Sequence, residues 1–165
     1  MSGRSSALVA LVAAIVTALG VALATPVPVL TVSDGTTEFV GTLGPTEALR
    51  YSYRQSIYQV TVFEELAREA GGLRIERVRS SDIRSVEYFG WKGEPAQAGD
   101  GLWVEDSPRT VGVDPELIIR ITPAGEQALS TSRWRVVLKP RFGEAVVRVR
   151  AEDRPWLLAL LAGAR

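Results

Sequence analysis

The sequence predicts an all-β fold, either an antiparallel sandwich or a partly closed barrel, preceded by one N-terminal hydrophobic helix. The helix is indicated by residues 7–24, ALVALVAAIVTALGVALA, which carry no charge. Residues 49–54, LRYSYR, alternate between apolar and polar side chains, which is the period of a strand with one buried face. Short runs rich in Val, Ile, Tyr and Phe then follow one another between Gly and Pro turns, a spacing typical of antiparallel sheets.

The composition limits the classes of function. A chain of 165 residues, 46% hydrophobic and 23% charged, has room for one domain with a core. Nineteen basic and nineteen acidic residues cancel, so we expect no nucleic-acid partner. The chain contains no cysteine and no histidine, which excludes Ser-His-Asp and Cys-His catalysis and removes the usual zinc and haem ligands. We therefore predict no metal and no cofactor.

The N-terminal apolar run predicts a membrane segment. Eighteen helical residues reach about 27 Å, close to the hydrocarbon thickness of a bilayer. Arg4 precedes the run and the next basic residue is Arg50, so the positive-inside rule places the N-terminus in the cytoplasm and the domain outside. Ala22 to Ala24 also match a signal-peptidase site. The alternatives are a single-pass anchor in the cell membrane, a cleaved leader on a secreted protein, and a buried helix of the domain.

The rest of the chain divides into two parts after the segment 1–24. Residues 25–46 are predicted to form a linker and a first hairpin leading into the domain, because Pro26 and Pro28 favour extended backbone and Asp34-Gly35 is a hairpin turn. Residues 47–165 are predicted to form a β domain that ends in a short apolar segment.

Within the β domain, residues 57–80 predict a long hairpin that turns at Gly71-Gly72. Residues 92–101 predict a polar loop. The run of Ile and Leu in 117–122 suggests a strand that is buried on both faces. Further strands are predicted over residues 49–54, 83–91, 102–105, 133–138 and 146–151.

The last two predicted strands, if they pair, place four arginines on one sheet face. That face is either solvated and balanced by acidic neighbours, or an anion-binding surface. The four are Arg133, Arg135, Arg148 and Arg150. Residues 156–162, WLLALLA, are too short to cross a bilayer as a helix. They are predicted to pack over one end of the core or to lie in the membrane interface or against a membrane partner.

Glu64 and Glu65 are adjacent in a predicted strand, so their side chains leave on opposite faces and do not act together on one substrate atom. The glutamate that faces inward either forms a structural ion pair with a partner such as Arg50 or Arg54, or serves as a catalytic acid.

Other polar and aromatic residues give weaker signals. Three acidic residues beside a Gly-rich loop lack the spacing of a calcium loop and are interpreted as solvated; they are Asp100, Glu105 and Asp106. Four aromatic residues either line an apolar ligand cleft or belong to the core; they are Tyr51, Tyr53, Tyr58 and Trp91.

The segment YRQSI, from Tyr53 to Ile57, followed by Val62 and Glu64-Glu65, resembles the DUF1850 family of small exported proteins. Its members show Tyr-x-His-Ser-Val, then a Glu in the next strand, a Gly-containing hairpin and a Gly-rich turn. Tyr53 and Ser56 match the motif, while Gln55 stands where the family has histidine. The resemblance covers roughly residues 45–160, and only the block 49–80 is specific.

The resemblance implies an accessory protein of a TAXI-type TRAP transporter on the outer face of the membrane. We expect it to bind a transporter subunit or an acidic small solute and to catalyse nothing. The candidate ligand-binding residues are Tyr53, Gln55, Ser56 and Glu64, with Arg50 and Arg54 as carboxylate partners. Two alternatives stay open. One is an envelope hydrolase using Glu64 or Glu65 with Ser56 or Tyr53, and the other is a structural envelope protein without a concave pocket.

Overall fold

The computed structural model describes residues 3–45 and 47–163, so residues 1, 2, 46, 164 and 165 of the predicted segments lie outside the description. The described helices are α1 Gly3–Ala24, α2 Ile83–Glu87, α3 Leu138–Phe142 and α4 Trp156–Gly163. The described strands are β1 Pro26–Ser33, β2 Glu38–Thr42, β3 Leu49–Arg54, β4 Thr61–Glu69, β5 Gly72–Ser80, β6 Ala96–Gln97, β7 Trp103–Asp106, β8 Leu117–Arg120, β9 Ala128–Ser130, β10 Arg135–Val137 and β11 Val146–Pro155.

The strands form two antiparallel sheets, as the sequence predicts. Sheet A has the order β2-β1-β11-β8, and sheet B has the order β10-β9-β3-β4-β5-β7-β6. Each sheet has two edge strands in the described part of the chain, so neither closes into a barrel. The main hydrophobic core takes side chains from both sheets, such as Leu30, Val32 and Val147 from sheet A and Leu49, Leu66 and Leu129 from sheet B. Burying a Leu or Val side chain of this kind stabilises the fold by roughly 1.5–3 kcal/mol.

The hairpin of β1 and β2 belongs to sheet A, with β1 in the interior of the sheet and β2 at its edge. β1 pairs with β11 along its whole length, from Pro26 opposite Pro155 to Ser33 opposite Arg148. The carbonyl of Pro28 accepts a hydrogen bond from the Leu43 N–H at 2.9 Å, so this residue presents its backbone polar atoms to the β2 side. The missing proline N–H therefore removes no bond from the ladder with β11.

The predicted hairpin over 57–80 is present as β4 and β5, but its first strand starts later. Residues 56–58 form a turn, and Gln59 has a φ of 57° in the left-handed region. The Gln59 side-chain amide donates to the carbonyl of Ser56 at 2.6 Å, which holds this turn. The extended run therefore begins at Thr61.

The prediction of a strand over residues 83–91 is wrong, because α2 begins there. The Asp82 carboxylate accepts a hydrogen bond from the Arg84 N–H at 3.0 Å and so caps the first turn. Ser85 and Val86 are buried against sheet B, where Val86 forms a small second core with Val62 and Val78. The capping and this packing override the β propensity of the segment.

The last two predicted strands do not pair with each other. β10 pairs with β9 in sheet B, whereas β11 pairs with β1 and β8 in sheet A. The four arginines therefore do not share a face. Arg148 and Arg150 both bind Glu116 at 2.5 Å, and Arg133 binds Glu47 at 2.5 Å.

Strand β8 is not buried on both faces. It is an edge strand of sheet A, and Ile118 is 60% exposed, whereas Ile119 is buried. Only one face of β8 meets the core, so the apolar run of this segment does not indicate burial on both sides.

The two terminal helices lie at the same end of sheet A. α4 packs on the sheet through Ala159, which is buried against Val29 and Val40, as one of the two alternatives for residues 156–162 predicts. α1 contains the predicted membrane segment and contacts α4. The side chains of residues 1–10, 18 and 19 lie outside the described part. Among the residues that the structure describes fully, which leave out those positions of α1, no helix presents an apolar stretch long enough to cross a bilayer.

Candidate functional site

A row of polar side chains crosses the inner face of sheet B. Tyr51 of β3 lies opposite Glu64 of β4, Glu64 lies opposite Val78 of β5, and Val78 lies opposite Glu105 of β7. Directly opposed residues point to the same face of a sheet, so two carboxyl groups enter the interior. Tyr51 and Glu64 are each 8% exposed and Glu105 is 3% exposed. The two glutamates are two strands apart, roughly 10 Å.

Glu64 is the inward member of the predicted pair and has an unusual protonation equilibrium. Burial raises its pKa from 4.5 to about 7, and a hydrogen bond with the Tyr53 side chain partly opposes this shift. Burial also raises the pKa of Tyr53, and the neighbouring Glu64 charge adds to the effect. Near neutral pH the Glu64 carboxyl is therefore partly protonated, whereas an ordinary glutamate is ionised.

The predicted arginine partners of an inward carboxylate are in the wrong place. Arg50 alternates with Tyr51 along β3, so it points outward and approaches Glu65, with 3.4 Å between Nη2 and Oε1. Arg54 lies 3.5 Å from Glu126. The expectation that Arg50 or Arg54 neutralises the inward glutamate is wrong, because strand alternation sends them to the other face.

Gln55 occupies the position of the family histidine and is buried. Its side-chain carbonyl accepts a hydrogen bond from the Ser85 hydroxyl at 2.7 Å, which ties the end of β3 to α2. Ser56, the next residue, is exposed in the turn. The structure therefore brings Tyr53 and Glu64 together, keeps Gln55 in a structural bond, and leaves Ser56 at the surface.

Glu105 is a residue that the sequence interpretation missed. It was expected to be solvated, yet Oε1 accepts from the Gly93 N–H at 3.0 Å and Oε2 has no hydrogen-bond partner in the described part of the chain. Burial raises its pKa, and the charge of Glu87 adds to this. A Cβ at position 93 would lie 2.8 Å from Oε1, so the loop approaches this closely because residue 93 is glycine. The sequence signal for this inward position is the two-residue repeat of β7, which places Glu105 on the same strand face as the apolar Trp103.

The other two acidic residues of that group are exposed, as expected. Asp100 binds Arg79 at 2.5 Å and Asp106 binds Arg77 at 3.0 Å. Across residues 3–45 and 47–163, no three acidic side chains come together in a group that would hold a metal ion.

The four aromatic residues predicted to line one cleft are divided between two places. Tyr51 and Tyr53 stack in the interior with 5.2 Å between ring centroids. Tyr58 lies under the Arg84 guanidinium at 4.7 Å, and Trp91 packs on Phe89 at 5.3 Å, both around α2.

Concave surface is present elsewhere on the domain. A cavity of about 560 Å³ lies between the segment 43–49 and the β4–β5 turn. Another, of about 630 Å³, is lined by Arg50 together with Glu47 and the segment 130–133. Arg50 is thus the one candidate ligand-binding residue that lines either of these two cavities.

Comparison with protein-family models found no match. The searches of curated proteins and of solved structures likewise gave no significant match.

Proposed function

We propose that this chain is a membrane-anchored, extracytoplasmic accessory protein of a TAXI-type TRAP transporter, which binds a transporter subunit or an acidic solute without catalysis. The resemblance of the YRQSI segment to DUF1850 supports the transporter association. The observation that carries the membrane location is the exposure of α1.

All seven residues from 11 to 17 are exposed, and seven residues cover nearly two helical turns. Leu11, Val12, Ile15 and Val16 are 52–64% exposed and lie along one side of the helix, and the exposed Ala13 and Ala14 occupy much of the other side. Because each of the larger side chains is only about half exposed, each would gain on the order of 1 kcal/mol by leaving water for an apolar medium. A lipid bilayer supplies such a medium on all sides at once.

Single cysteines test this location, because the chain has no cysteine of its own. Gly99→Cys, in an exposed loop of the β domain, should react with a membrane-impermeant maleimide in intact cells. Ile15→Cys should react only after the membrane is dissolved. Reaction of Ile15→Cys in intact membranes, or of Gly99→Cys only after lysis, would refute the anchored topology. The intact mass then distinguishes a retained anchor, at 17.9 kDa, from a cleaved leader.

The transporter association needs its own test. Purification of the full-length chain from native membranes in mild detergent should recover subunits of the transporter. Recovery of the chain alone at its natural abundance would contradict the association while leaving the anchor in place.

The cavity around Arg50 is the best candidate for binding an acidic solute. The Arg50 side chain is 46% exposed, and its contact with Glu65 is long, so the guanidinium is available for a second carboxylate. Arg133 in the same cavity is held by three contacts to Glu47. Ser130, Thr131 and Ser132 also line the cavity.

Calorimetry with small dicarboxylates would test the cavity. Arg50→Ala should remove binding, and Arg50→Lys should weaken it because a lysine lacks the bidentate fork. Arg54→Ala is the matched control, since Arg54 is on the same strand and does not line this cavity. Equal affinity in all three variants would exclude this site.

Glu64 beside Tyr53 favours a second candidate function, that of a hydrolase with Glu64 as general acid. A carboxyl with a pKa of about 7 matches that role near neutral pH. At 8% exposure, however, Glu64 meets no substrate in this conformation. Hydrolysis of envelope glycans or peptides that disappears in Glu64→Gln and persists in Glu65→Gln would establish it. The third alternative, a structural envelope protein, predicts no concave pocket, whereas the two cavities are concave.

A further inference from the structure

Helix α4 has an apolar face that nothing in the described chain covers. Ala159 faces sheet A, and Leu157 and Leu161 lie roughly opposite it because a helix turns once every 3.6 residues. Leu157 is 41% exposed and Leu161 is 58% exposed. Leu158 extends this face with an exposure of 53%, and Trp156, at the start of the helix and nearer the side of Ala159, is 42% exposed.

The start of α4 is fixed at the level where α1 ends. The Trp156 N–H donates to the carbonyl of Thr25 at 3.0 Å, and Thr25 is the residue that follows α1. The adjoining strand residues, Pro26 and Pro155, are directly opposed. α1 also contacts α4, and Val21, near the C-terminal end of α1, is 64% exposed.

Helix α4 is too short for its residues to lie far from the end of α1. Leu161 is five residues beyond Trp156, which corresponds to about 8 Å along the helix axis. The interfacial layer on each side of the hydrocarbon core is roughly 5–8 Å thick. If α1 enters a bilayer and emerges at Ala24, α4 therefore starts within or beside the headgroup layer. Because α4 is short, its other end also remains close to that layer.

We propose that α4 lies in the headgroup region of the bilayer that α1 enters, with Leu157 and Leu161 directed toward the acyl chains and Trp156 at the polar boundary. Tryptophan favours this boundary because its ring is apolar and its N–H is polar. The β domain then has two membrane contacts, and sheet A keeps a fixed orientation to the membrane surface. This inference rests on the proposed anchoring by α1.

The experiment uses the full-length chain in nanodiscs of phosphatidylcholine, with one spin-labelled cysteine per variant. The labels are placed by Leu157→Cys and Leu161→Cys on α4. Ile15→Cys reports the anchor, and Ile118→Cys is the matched control, since Ile118 is an apolar residue on the edge strand of sheet A and is about as exposed as Leu161. Power saturation compares accessibility to oxygen, which concentrates in lipid, with accessibility to a nickel chelate, which stays in water.

The ratio of oxygen to nickel accessibility should be several-fold higher at positions 157 and 161 than at 118, and highest at 15. If 15 lies in lipid while 157 and 161 match 118, the α4 inference is refuted and the anchor stands. If 15 itself is open to nickel, the anchor fails. If 157 and 161 are shielded from both reagents, a second copy or another protein covers α4, and the inference is again refuted. Unfolding midpoints of the labelled variants close to that of the unlabelled chain show that the fold is intact.

Discussion

The stability of the β domain should fall as the pH rises from about 4.5 to about 7, with Glu64 as a main cause beside the buried Glu105. Burial raises the pKa of Glu64 from 4.5 in an exposed chain to about 7 in the fold. Between these two values the folded chain holds a proton at Glu64 and the unfolded chain does not. Raising the pH therefore favours the unfolded state, and the stabilisation present in acid is lost by the time the folded carboxyl ionises.

The size of the effect follows from the same two values. A shift from 4.5 to about 7 corresponds to about 3 kcal/mol of differential proton binding. Glu64→Gln removes the titrating proton and keeps an amide of the same shape. The variant should match the wild type within about 1 kcal/mol near pH 4.5 and should be more stable at pH 8, by up to about 3 kcal/mol less the cost of the altered bond to Tyr53.

Urea unfolding followed by tryptophan fluorescence measures this directly, since the chain has four tryptophans. The free energy of unfolding is compared for the two proteins between about pH 4.5 and pH 8. Glu65→Gln is the control: Glu65 is the next residue, faces outward and binds Arg50 and Arg79, so the pH trend should persist in that variant. Parallel curves for wild type and Glu64→Gln would refute the reasoning.

Three further predictions concern packing, a buried hydrogen bond and an ion pair. Gly41→Ala should destabilise the fold by about 1–3 kcal/mol, because the new Cβ would lie 2.5 Å from the ring of Trp134; the urea midpoint and the tryptophan spectrum report this. Ser85→Ala should cost about 1–3 kcal/mol in unfolding free energy, because the buried carbonyl of Gln55 loses its donor. Glu47→Gln should flatten the loss of stability below about pH 4.5, since a hydrogen bond from an arginine holds the pKa of Glu47 well below its ordinary range; acid titration of the urea midpoint measures this.

The first two of these variants each have a matched control. Gly99→Ala adds a Cβ that meets nothing within 4 Å, and it should be neutral. Ser56→Ala removes an exposed hydroxyl and should also be neutral. A neutral Gly41→Ala or Ser85→Ala would mean that the neighbouring side chains adjust without cost. An acid titration of Glu47→Gln that follows the wild type would exclude the Arg133 bond as the source of acid sensitivity.

Local sequence patterns predicted several features correctly. The alternation in residues 49–54 predicted β3 and the direction of its side chains. The adjacency of Glu64 and Glu65 predicted that one would face inward and one outward, and Asp34-Gly35 predicted the turn between β1 and β2. These features depend on residues a few positions apart, so the sequence contains them directly.

Features that depend on distant segments were missed. The partner of β11 is β1, more than 100 residues earlier in the chain, and no local pattern distinguishes it from β10. Glu105 resembles a solvated loop residue until the segment around Gly93 folds over it. α2 carries residues typical of a strand, and its helical form depends on capping by Asp82 together with burial of Val86 on sheet B.

The sequence by itself determined which segments extend, where they turn and which side of a strand each residue occupies, because backbone conformation and the two-residue repeat are local. Only the tertiary structure decided which strands are neighbours, that the inward carboxylate has a tyrosine in place of an arginine beside it, and that an exposed face of α4 adjoins α1. Those outcomes depend on the surroundings that remote parts of the chain create, and the same apolar pattern is compatible with more than one such arrangement.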